Sequence, residues 1–198
     1  MTGQVQLGGE NRKLSVLFSD IRGFTAMTQN MPPAEVIQML NEHMTLLTRV
    51  VYEHNGVVDK FVGDLIMAIF GAPKSYGRDS WNAARCALAM IAARSDLNER
   101  SRYKITVGIG VATGAAVAGC MGSSDRLNYT VLGERVNLAS RLCSQAGRMD
   151  VVVDQTTRDE LGDAADVEPL PELRLKGFSD AVRAYKLIQL RKPPSQPV

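Results

Sequence analysis

Cysteine is scarce in this sequence: Cys86, Cys120 and Cys143 are the only three in 198 residues, and no CxxC pair occurs. An odd number of distant thiols excludes a disulfide frame and a cysteine-built zinc site, and it points to reduced thiols in a cytoplasmic compartment. Charge of one sign is not in excess either. Lys plus Arg is 23 and Asp plus Glu is 21, a net +2, which argues against a nucleic-acid binder held by a broad basic field. No apolar run approaches the about 18 residues a membrane-spanning helix needs. The opening MTGQVQLGGE is polar and glycine-rich where a signal peptide would be apolar.

Several familiar catalytic signatures are also missing. There is no GxxxxGK[ST] loop and no serine elbow. Gly108, Gly110 and Gly114 stand in a GxGxxxG spacing; they lie in a strand-like run and open no helix, so they read as glycines where a strand packs closely or bends. His43 and His54 lack HExxH spacing and read as surface or capping residues. What remains is 45% hydrophobic and 22% charged over 198 residues, the profile of one ordinary globular domain.

Composition predicts a glycine-rich flexible leader over 1–11, a domain over 12–190 and a proline-rich flexible tail over 191–198. A piece of a longer protein and a short natural protein both read this way, so a covalently linked sensor or membrane domain in a longer parent is compatible with the chain. Lys13 to Asp20 reads as the first strand. Pro32-Pro33 opens a helix with Val36, Ile37, Leu40, Met44, Leu47 and Val51 on its buried face, and Asn55-Gly56 stops it. VVDKFV and LIMAIF flank Gly63-Asp64, a tight hairpin signal. A helix capped by Asp79 or Ser80 runs through Ala93. A strand pair follows, Lys104 to Val111 and Ala115 to Gly119, turning at Thr113-Gly114. Tyr129 to Leu132 is β-like, Val136 to Ala146 helical, Val151 to Val153 a strand and Gln155 to Leu161 a short helix. Strands at Leu173–Lys176 and Arg183–Leu190 end the domain. The expectation is an α+β sandwich with its sheet covered mainly on one face.

Two acids stand at strand ends. Asp20 follows the apolar VLFS, and Asp64 tips the hairpin. Either alone reads as a turn former. Each, however, follows a strongly apolar strand and precedes apolar residues. The Arg-Gly-Phe-Thr after Asp20 offers backbone N–H groups beside a coming helix, a seat for phosphate. If the carboxylates converge to ~4 Å, their repulsion is roughly 4 kcal/mol at an effective dielectric near 20. A hard divalent cation with oxygen ligands relieves it, so Mg²⁺ or Mn²⁺ and phosphoryl transfer become the expected chemistry.

A second polar set interrupts apolar segments: Lys60 in VVDKFV, Thr130 in YTVLGE, Asn137 and Arg141 one helical turn apart, and Lys176 before Gly177. Singly, Asn137 reads as a cap, Arg141 as a solvated face and Lys176 as a turn border. Together they supply cations for phosphates, with amide and hydroxyl groups for a base and a sugar.

LFSDIRGFT (17–25), DKFVGDLIMAIFG (59–71), GIGVATG (108–114) and NYTVLGERVNLASRL (128–142) resemble the class III nucleotidyl cyclase catalytic domain, with closest similarity to bacterial adenylate cyclases. The resemblance covers about residues 12 to 190. It implies a palm-like, ferredoxin-like βαββαβ core working as a head-to-tail homodimer. It implies two Mg²⁺ or Mn²⁺ ions on Asp20, Asp64 and the Ile21 carbonyl, and ATP as substrate. Phe24 and Thr25 N–H groups would seat the β- and γ-phosphates, Lys176 would contact phosphate, Asn137 would orient the ribose and Arg141 would stabilise the transition state. Lys60 and Thr130 match the two base-reading positions; lysine goes with adenine and glutamate with guanine. Threonine replaces the aspartate many relatives carry, and Gly133-Glu134-Arg135 replaces the common Gly-Asp-Thr. The competing expectations are guanylate cyclase activity and an inactive cyclase-like module that binds nucleotide or dimerises.

Overall fold

A computed structural model describes residues 8–123 and 125–191. The chain runs β1 (Gly8–Ile21), α1 (Phe24–Thr28), α2 (Pro33–Glu53), β2 (Val57–Val62), β3 (Leu65–Phe70), α3 (Asp79–Arg100) and β4 (Val107–Ser123). It continues β5 (Arg126–Leu132), α4 (Glu134–Gln145), β6 (Asp150–Asp154), α5 (Gln155–Leu161), β7 (Ala165–Pro169) and β8 (Ala184–Leu190). The sheet order is β2-β3-β1-β4-β6-β8-β7, with β5 also paired to β4. With the five-residue α1 set aside, the first six elements are βαββαβ in the order β2-β3-β1-β4, the expected palm-like core.

Alternation along the central strands fills both faces. Leu17, Ile66, Ala68, Ile109 and Val111 point toward a cluster with Leu47 and Val51 of α2 and Ala84, Ala87 and Met90 of α3. Leu14, Val16, Phe18, Met67, Ile69 and Ala112 point the other way, onto Leu138, Ala139 and Leu142 of α4. The long helices α2 and α3 cover one face, as expected, and the shorter α4 adds a cover to the other. Gly110 lets it do so, because a Cβ there would run into the backbone of Ala139 and Cys143. The GxGxxxG run is thus a close-approach strand, as its position inside a strand suggests.

Other boundaries move for physical reasons. Thr113-Gly114 makes no turn. β1 and β4 pair without a break from Gly8↔Cys120 to Ile21↔Val107, and buried Thr113 Oγ1 lies 2.7 Å from Ser15 Oγ and 2.8 Å from Thr157 Oγ1. The same ladder takes residues 8–11 of the expected leader into β1; residues 1–7 and 192–198 lie outside the described residues. Leu173–Lys176 forms only a bridge, Leu173↔Val182, while the polar β7, with no clean alternation to betray it, pairs with β8. α3 extends to Arg100, and Asp79 lies in its first turn behind Arg78, accepting from Ser75 Oγ at 2.6 Å.

α2 is rotated from the expected stripe. Its buried residues are Met39, His43, Leu46, Leu47, Val50 and Val51, while Ile37 is 59% exposed. His43 is therefore no surface group: it is fully buried. His54 does end the helix, with Nδ1 2.8 Å from Val50 O, and Asn55 takes the left-handed φ of 61° behind it.

Candidate active site

β1 and the β2–β3 hairpin deliver the two acids to one corner. Gly63, at φ 63°, makes the tight turn that presents Asp64. The Ile21 N–H donates to Asp64 Oδ2 at 3.2 Å, which ties the hairpin tip to the end of β1. Asp64 is pushed up to about 6 by burial, and by hydrogen bonding to and repulsion from Asp20. The bond from Ile21, the residue after Asp20, sets the two acids at one corner, the condition under which a cation would relieve their repulsion. Arg22, whose Nη1 is 3.7 Å from Asp20 Oδ2, partly offsets that negative charge. Its other branch donates to the Cys143 carbonyl on α4, and its guanidinium covers Gly108, where a side chain would collide with it.

Two carboxylates that repel each other are an oxygen donor set that fits a hard divalent cation better than a soft one. Gly23, at φ 73°, starts α1 directly after this corner. Phe24 is half-buried and packs on the core, while Thr25 is exposed.

The other predicted residues form two further groups. Asn137 and Arg141 lie exposed on one face of α4, with Leu138 and Leu142 buried behind them. Gly133 occupies the N-cap, so the capping account of Asn137 fails. Lys176 is exposed before Gly177, which has φ 93°. Among the described residues, no ion pair holds Arg141 or Lys176.

Lys60 and Thr130 meet through a residue that sequence reasoning missed. Asp59 Oδ2 accepts from Thr130 Oγ1 at 3.0 Å and lies 3.2 Å from Lys60 Nζ. The Asp59 side chain is 1% exposed and that of Lys60 is 49% exposed. A bulge between Val58 and Lys60 makes Asp59 the extra residue in β2, so neighbours that would alternate across a flat strand can serve one cluster. The available signal was two consecutive polar residues in the otherwise apolar VVDKFV.

The departure at Gly133-Glu134-Arg135 also has a structural account. Arg135 bonds Glu134 Oε1 at 2.6 Å and Asp154 Oδ2 at 3.4 Å. Asp154 in turn caps α5 by accepting from the Thr157 N–H at 3.0 Å. The cation thereby ties the start of α4 to the start of α5.

Residues 9–189 match the family model of the adenylate and guanylate cyclase catalytic domain. An uncharacterized protein of Mycobacterium tuberculosis is 42% identical over 141 residues, 71% of this chain and 26% of the relative. A second from that organism is 36% identical over 199 residues, 95% of this chain and 35% of the relative. The chain thus spans roughly a quarter to a third of the length of these curated relatives. Among solved structures, the guanylyl cyclase Cya2 superposes with a TM-score of 0.90 at 32% identity, covering 94% of this chain and 97% of that one. The adenylyl cyclase CyaB from P. aeruginosa superposes with a TM-score of 0.86 at 30% identity, covering 96% and 100%.

Proposed function

Because the chain belongs to the adenylate and guanylate cyclase catalytic domain family, we propose that it is an adenylate cyclase domain, converting ATP to 3′,5′-cyclic AMP and pyrophosphate. The observation that carries adenine is Lys60, whose half-exposed side chain shares the Asp59 carboxylate with Thr130, the two residues at the base-reading positions. A lysine donates to adenine N1, an acceptor, whereas guanine carries a donor at that atom.

In this reading Asp20, Asp64 and the Ile21 carbonyl hold two Mg²⁺ or Mn²⁺ ions, which when bound acidify the ribose 3′-hydroxyl and neutralise triphosphate charge. The 3′-oxygen attacks the α-phosphate in line and pyrophosphate leaves. Arg141 stabilises the negative charge that builds on the α-phosphate, a contribution of about 3 kcal/mol for one well-placed donor. Asn137, one turn away on the same face of α4, orients the ribose. Lys176 and the N–H groups of Phe24 and Thr25 hold the phosphates.

Two such sites lie across a head-to-tail homodimer, with the acids from one chain and the base, ribose and transition-state residues from the other. The support for this arrangement is membership of the cyclase catalytic domain family.

Product formation from ATP and GTP, each with Mg²⁺ and Mn²⁺ over a range of protein concentrations, tests the proposal. Cyclic AMP from ATP, with specific activity rising with concentration, is the expected result. Cyclic GMP as the main product overturns the base assignment. No cyclic product from folded, dimeric protein favours a regulatory module.

A further inference from the structure

Asp59 is a carboxylate with a nearly inaccessible side chain on an edge strand, where charge ordinarily faces water. Among the described residues its Oδ1 has no hydrogen-bond partner, a costly arrangement for a buried acceptor. Among the described residues its Oδ2 meets Lys60 Nζ and Thr130 Oγ1. Thr130 comes from β5, which β3, β1 and β4 separate from β2 in the sheet order.

A threonine hydroxyl has one proton and two lone pairs. Unconstrained, it can donate or accept, and it then discriminates poorly between an amino and an oxo group on a purine. A carboxylate can only accept, so the hydrogen bond to Asp59 consumes the Thr130 proton and leaves lone pairs alone for any third partner. Lys60, an ammonium, can only donate, with or without its ion pair to the same carboxylate. The pair therefore presents one donor and one acceptor in a fixed order. Adenine complements that order, with an acceptor at N1 and a donor amine at C6. Guanine and hypoxanthine reverse it, with N1–H and a C6 carbonyl.

We infer that Asp59 is a specificity-determining positioning residue, which fixes Thr130 as a hydrogen-bond acceptor and so selects 6-amino over 6-oxo purine nucleotides. This rests on the adenylate reading of the site and supplies the half of the selection that Lys60 alone does not. Asparagine at 59 could turn its amide NH₂ toward Thr130, releasing the hydroxyl proton to meet a C6 carbonyl.

The test is kcat/KM for ATP and for inosine triphosphate, which differs from ATP at N1 and C6 only. In Asp59→Asn the ATP-to-ITP ratio should fall about tenfold or more. Thr130→Val should lose a similar factor, and adding Asp59→Asn to it should change the ratio little further, because both act through one hydrogen bond. Thr130→Ser, which keeps the hydroxyl, should retain the ratio. Far-UV circular dichroism and a melting curve check folding; if the Asn variant does not fold, Asp59→Ala removes the acceptor with the same expected loss. A merely structural Asp59 would lower turnover of both nucleotides equally and leave the ratio within about twofold, which overturns the inference. A ratio unmoved in Thr130→Val overturns it as well. A native chain that does not prefer ATP to ITP fails differently: it removes the adenylate reading itself.

Discussion

Two regions bury polar groups in this domain, and they do so with opposite consequences. At the corner of β1 and the β2–β3 hairpin, Asp20 and Asp64 are drawn together at partly exposed strand ends, where a cation can reach them. Between α2 and α3, His43 and Arg94 are fully buried. Among the described residues neither His43 nitrogen has a hydrogen-bond partner, and of the Arg94 guanidinium only Nε finds one, Asn98 Oδ1 at 3.1 Å. The first region keeps unfavourable charge where a ligand can use it. The second keeps polarity where only folding stability feels it. Accessibility, rather than polarity, separates the two, and variants of each should show it.

The largest effect belongs to the acid corner. Asp20→Ala and Asp64→Ala should each abolish cyclase activity, by about a thousandfold or more. Stability should stay within about 1 kcal/mol, because relief of carboxylate repulsion offsets the lost Arg22–Asp20 contact in the first variant and the lost hydrogen bond from the Ile21 N–H in the second. Turnover and a chemical denaturation curve in chelator check both halves. Substantial residual activity would sink the metal assignment, and a large loss of stability would erase the contrast with the helical layer.

Arg141→Ala comes next. It should lower kcat by about a hundredfold or more and leave nucleotide affinity nearly unchanged, the pattern of a contact made only in the transition state. Equal losses in both would make Arg141 a binding residue. Mixed with Asp20→Ala chains, Arg141→Ala chains should regain activity through one site that draws both intact sets from different chains. Absence of rescue, once heterodimers are demonstrated, would count against the shared site.

The same two regions show what was readable in the residues alone. Asp20 and Asp64 announce themselves locally, one at the end of an apolar strand and one in a two-residue turn, so the fold needed only to bring the strands together. Asn137 and Arg141 share a face by helical spacing alone. Asp59 could not be placed this way: its partner Thr130 is 71 residues away, and a β-bulge is set by the pairing strand as much as by its own sequence. α4 was legible as a helix but not as the cover of the second sheet face. Gly110 signalled a close approach without saying to what. His43 was misread because polar residues are expected outside, and the rotation of α2 by packing against α3 overrides that expectation.

His43 gives the smallest effect on activity and the clearest one on stability. Burial, aided by the Arg94 charge, brings its pKa down from 6.5 to about 3. The folded chain therefore binds fewer protons than the unfolded chain between those two values, so stability is full above about pH 6.5 and falls as pH drops toward 3. At roughly 1.4 kcal/mol per unit, the loss at the acid end amounts to several kcal/mol. His43→Leu should remove this part of the slope and raise stability at pH 5 relative to the native chain, since it also removes two unpartnered nitrogens from the core. Its turnover at pH 8 should match the native chain within about twofold, because none of the proposed site residues is a partner of His43. Denaturation curves at pH 5 and pH 7.5 measure the slope. If both proteins lose stability in parallel over that interval, the acid sensitivity belongs to other groups. If the leucine variant also loses turnover at pH 8, the α2–α3 layer is coupled to the catalytic face and the two regions are not independent.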